Sequence, residues 1–165
     1  MKILKTIDSI FNKIEGVILI VLLLVMLFMA FGQVVLRNIS SGGFVWGDIL
    51  LRHLVLWIGF LGAALATSGE RHINIDILTR YLPGRLKGAV AALSSIFAAA
   101  VCFLLFRASL TFLEFEIANH NTVFDEIPSS YAEIIIPVGF GLLTFHFIIR
   151  AVLDAGSALR KGTAA

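Results

Sequence analysis

The chain has little charge, a single cysteine and no recognisable catalytic motif, and each shortage removes a class of function. Asp, Glu, Lys and Arg make up 15% of the 165 residues, with a formal net charge of +2. A balance so close to neutral does not suggest a nucleic-acid partner. Cys102 is the one cysteine, so neither an internal disulfide nor a cysteine-paired metal or redox centre can form. It falls among Ala and Phe, where a thiol serves as small apolar packing rather than as a nucleophile. There is no His-Glu-x-x-His, no glycine-rich phosphate loop and no Gly-x-Ser-x-Gly, so no enzyme is expected. Internal repeats and low-complexity tracts are missing too. What is abundant is apolar. The chain is 59% hydrophobic, against about 45–50% in soluble domains, with a mean hydropathy of +0.97. The expectation is one all-α polytopic membrane domain over residues 1–165 with four transmembrane helices.

Residues 1–16 place Ile3, Ile7, Ile10 and Ile14 on one helical face, with Lys2, Lys5, Asp8, Asn12 and Lys13 elsewhere. This predicts an amphipathic N-terminal segment at the interface; the plainer alternative is the first turns of the first span. The first span is expected over about 17–36, roughly the 20 residues a bilayer core requires. Ala30-Phe31-Gly32 resembles a signal-peptide cleavage site, but the lead-in is long and carries Asp8 and Glu15, which favours a retained anchor. Ser41-Gly42-Gly43 marks a turn, and Phe44 and Trp46 suit the headgroup level. The second span is expected at about 48–66, the third at 84–107 with a possible extension to 119, and the fourth at 131–149. Pro128-Ser129-Ser130 signals the start of the fourth, Pro137 a kink, and Gly139 and Gly141 close packing.

Lys and Arg give the orientation. The N-terminus, the 67–87 loop and the tail hold ten of them, and the other side holds only Arg37, Arg52 and Arg107. The positive-inside rule places both termini and the middle loop in the cytoplasm.

The chemistry of transport is missing from the middle of the spans. They hold Ser94, Ser95, Cys102 and other small groups, whereas an ion pathway needs ionisable residues there. Haem would need paired histidines, yet His53 and His146 sit near opposite ends of their spans, roughly 12 Å apart in depth. His146 with Thr144 is expected to be a locally satisfied pair rather than a proton relay.

The densest stretch of features runs from Trp46 to Pro83. Asp48 and Arg52 are four apart and share a helical face, so they are expected to pair; His72 and Asp76 do likewise. Gly59 with Ala63 and Gly62 with Ala66 give two small-xxx-small pairs, which let helices approach closely in lipid. The bland alternatives stand beside these: a surface ion pair worth about 0–1 kcal/mol, ordinary interfacial or lipid-facing aromatics at Trp46 and Trp57, and a solvated face at His72 and Asp76.

The order of features resembles the small membrane subunit of tripartite ATP-independent periplasmic (TRAP) transporters over nearly the whole chain. It is strongest at Trp46-x-Asp48, Arg52, Trp57, Gly62-Ala63-Ala64, His72-x-x-x-Asp76 and Leu82-Pro83, with Pro128, Tyr131 and Pro137 also similar. One position departs: many members carry two adjacent acids after the Trp, and here the second is Ile49. The resemblance implies a scaffold in the bacterial inner membrane. Its partners would be a large membrane subunit holding the substrate and sodium sites, a periplasmic substrate-binding protein that delivers an organic acid, and lipid. No cofactor is implied. Trp46, Asp48, Arg52, Trp57, Gly59, Gly62, Ala63, Ala66, His72 and Asp76 become the candidate interface or structural residues. The alternative is a self-assembling four-helix pore or regulator, which would show a polar stripe along one helix.

Overall fold

The computed structural model describes residues 2–40, 45–69, 84–124 and 127–162. Four helices in it are long and apolar enough to cross a membrane. The first, α1, is Lys2–Ser40, and α2 is Val45–Gly69. The third, α3, is Gly84–Ala118 and ends in a turn at His120, whose φ is +50°. A small antiparallel hairpin follows, β1 (Thr122–Phe124) against β2 (Ile127–Pro128). The last span is a short α4 (Ser129–Glu133) and a long α5 (Ile135–Gly162).

The gap between α4 and α5 lies at Ile134, one turn before Pro137. Proline cannot donate to the carbonyl four residues earlier, here Glu133, and its ring crowds that carbonyl. This is the physical content of the expected kink. The amphipathic N-terminus is not a separate element. It forms the first turns of α1, where Glu15 is buried while Ile10 and Ile14 are about half exposed.

The spans are arranged as a row. α1 packs on α2, α2 on α5, and α5 on α3, so α1 and α3 form the two ends. α5 lies inside the row, and its span is the most buried of the four. Close approach to it depends on glycine. A Cβ at Gly139 would collide with the ring of Phe60, which itself meets Phe140 edge-on at 5.1 Å. At Gly141 a Cβ would only touch Phe106, at 3.5 Å.

Polar contacts fasten the row near its ends. Ser95 Oγ donates to Asp154 Oδ2 at 3.3 Å between α3 and α5. At the other end of the same pair of helices, Ser129 Oγ and Asn121 Nδ2 donate to Glu116 Oε2 at 2.8 and 3.0 Å. Exposed Leu, Ile, Val and Phe cover much of the remaining surface of α1 and α3. In a bilayer, lipid tails solvate such faces, so they need no protein partner.

Candidate partner interface

α2 is apolar around most of its circumference, so its sequence does not declare an inner face. The structure buries Leu54, Leu61, Ala64 and Ser68. The uncovered side runs through Asp48, Arg52, Val55, Gly59, Ala63 and Ala66. Steps of three and four keep these on one stripe of the helix. Gly59 has nothing near its missing Cβ. Gly62 is turned the other way, with Leu19 of α1 at 4.0 Å from the position a Cβ would take. Of the four small residues of α2 expected to admit a neighbouring helix, Gly62 faces one among the described residues, and Gly59, Ala63 and Ala66 are exposed.

The polar residues at the start of α2 are arranged differently from the expectation. Asp48 Oδ1 accepts from Gln33 Nε2 of α1 at 3.3 Å rather than pairing with Arg52. Arg52 is exposed and makes no ion pair among the described residues. The reason is local: Gly47 lets α1 come so close that a Cβ there would meet the Gln33 amide. That approach brings Gln33 within reach of Asp48. Trp46 is 50% exposed, as suits the headgroup level. Trp57 is not a lipid-facing aromatic. Its indole N–H donates to the carbonyl of Ala132 at 2.9 Å, beside the break between α4 and α5. His53 Nδ1 lies 2.8 Å from the Ile49 carbonyl, so that nitrogen carries the hydrogen. His72 and Asp76 lie outside the described residues.

Two polar groups outside the candidate set are more deeply buried than these polar residues of α2. Glu15 of α1 and His146 of α5 meet at 3.1 Å, with their side chains 5% and 1% exposed. Thr144 turns instead to the Phe140 carbonyl at 2.7 Å, which corrects the expected pairing with His146. The signal for Glu15 was its place as the last ionisable residue before a long apolar run, but 131 positions separate it from its partner. A cavity of about 520 Å³ opens between α3 and the hairpin, bordered by Glu116, Ile117, His120, Thr122 and Tyr131. Among the described residues, no group of three His, Cys, Asp or Glu is placed to hold a metal ion.

Comparison with known proteins identifies the family. The family model described as "Tripartite ATP-independent periplasmic transporters, DctQ component" matches residues 24–156. The chain belongs to this family. DctQ-family chains are membrane components of TRAP transporters and not enzymes, and these small subunits pair with a large permease subunit. The chain is similar to a putative TRAP transporter small permease protein of Haemophilus influenzae, 26% identical over 110 residues and 67% of each chain. It is also 26% identical over 147 residues to the sialic acid TRAP transporter small permease protein SiaQ of Vibrio cholerae, covering 87% of this chain and 82% of that one. The C4-dicarboxylate TRAP transporter small permease protein DctQ of Vibrio cholerae is 21% identical over 160 residues, covering 83% and 69%.

Proposed function

We propose that this chain is the scaffold subunit of a sodium-coupled TRAP transporter for an organic acid, of the kind typified by sialic acid or a C4-dicarboxylate. The observation that carries the reading is the family match across residues 24–156. The geometry agrees with a static role. The row is cross-braced within itself, and the stripe from Asp48 to Ala66 is left open for the large subunit to pack against small residues. Arg52, without an internal partner among the described residues, would meet a polar group of that subunit at the end of the stripe. His72 and Asp76 are assigned to the same contact on the cytoplasmic side, with both termini cytoplasmic. The outer turn and hairpin would help to dock the periplasmic binding protein. Substrate choice belongs to the other chains.

The test is uptake by proteoliposomes holding the complex isolated through a tag on this chain, with its binding protein supplied outside. The reading predicts organic-acid uptake that requires an inward sodium gradient. Uptake without sodium overturns the coupling, and uptake unchanged by leaving this chain out of the complex overturns the scaffold role.

A further inference from the structure

α1 poses a problem of register. Between Glu15 and Gln33 it carries only apolar residues and glycine. Leaving aside the small Gly16, Ala30 and Gly32, its covered positions there are Glu15, Leu19, Leu22, Met26, Met29 and Gln33, which recur in alternating steps of four and three. That is the four–three spacing of a coiled-coil seam. In lipid, such a seam attaches a helix without strongly preferring one register, because slipping a turn exchanges one apolar contact for another.

The two polar residues that end the seam break this degeneracy. Glu15 meets His146 of α5 at 3.1 Å, and Gln33 meets Asp48 of α2 at 3.3 Å. They are 18 residues apart. This is five turns of 3.6 residues, so both lie on one face, about 27 Å apart along the helix. That span approaches the roughly 30 Å of bilayer hydrocarbon, so a contact stands near each surface. Each is built into its surroundings. One turn before Glu15, Phe11 meets Phe145 at 5.2 Å, and Gly47 leaves space that the Gln33 amide fills.

We propose that Glu15 and Gln33 are register pins. The apolar seam attaches α1 to the row, and the two pins select which register the seam occupies. The assignment concerns this chain alone and does not rest on the transporter reading. A one-turn slip would separate Glu15 from His146 and leave polar groups buried without their partners, which a low-dielectric setting penalises.

The test is disulfide cross-linking of the full chain in membranes, in a Cys102→Ser background. Leu19→Cys with Gly62→Cys reads the native register, because Leu19 and Gly62 face each other. Leu19→Cys with Ile58→Cys or with Leu65→Cys reads slips of one turn either way, since Leu65 lies on the α1 side of α2, beside Gly16. An interhelical hydrogen bond in a bilayer weights an arrangement by about threefold, so two pins favour the native pair by about tenfold. Glu15→Leu together with Gln33→Leu is expected to bring the three yields within about twofold of each other. Glu15→Gln alone keeps a carbonyl for His146 and is expected to retain the preference. An unchanged preference in the doubly substituted chain would overturn the proposal, as would equal yields in the parent. Loss of all three cross-links would overturn it too, since attachment is assigned to the seam and not to the pins.

Discussion

Gly139 and Gly59 sit on neighbouring helices and make opposite predictions. Gly139 faces the ring of Phe60, so Gly139→Ala must push α2 from α5 or force Phe60 from its place. Overpacking of this kind costs about 1–3 kcal/mol, readable as a lowered unfolding temperature in detergent. Gly59 has open space, and Gly59→Ala should leave that temperature unchanged. Gly59→Leu, by contrast, should lower the yield of the large subunit recovered with the chain while the isolated chain stays as stable as the parent. Trp57→Phe removes the donor to the Ala132 carbonyl but keeps most of the ring's bulk. It should lower stability by about 0.5–1.5 kcal/mol, the range for one net hydrogen bond. Arg52→Ala should reduce complex yield or transport rate without altering substrate preference; a shifted preference in growth on alternative acids would contradict its place at the interface.

At the scale of elements, the four spans were legible because each is a long apolar run bounded by turn or charge signals. The break before Pro137 was legible from the missing proline N–H. The inner face of α2 was not. A helix that is apolar all round carries no periodicity to read, and neighbour geometry placed Leu54 and Ala64 inside and Gly59 and Ala63 outside. The hairpin was equally hidden, since strands of three and two residues are too short for alternation to register. The Asp48–Arg52 expectation failed for a different reason. Spacing within one helix gives candidates for pairing, but Gly47 admits a second helix that supplies a competing donor. The clasp on Glu116 makes a prediction at this scale. Ser129→Ala removes one of its donors and should loosen the α3–α4 corner, seen as faster amide exchange at Asn121, Ser129 and Ser130, with the Ser95–Asp154 end unaffected.

At the scale of the whole molecule, the sequence marked candidate residues on α2 but not how they divide between covered and open faces. Asp48, Arg52, Gly59, Ala63 and Ala66 do share one open stripe, while Trp57 turns to the Ala132 carbonyl of α4 and Gly62 to Leu19 of α1. That division follows from the row. With α1 and α3 at its ends, and α2 and α5 between them, α2 has one flank committed to each neighbour and a remaining face uncovered. The central claim is that a much larger membrane subunit covers that face. The most direct measurement is isolation of the tagged chain from native membranes in mild detergent, with mass spectrometry of what accompanies it. A many-helix permease subunit in near-equal amount is the predicted result, diminished by Gly59→Leu. Recovery of the chain alone, as a defined oligomer of itself, would contradict it.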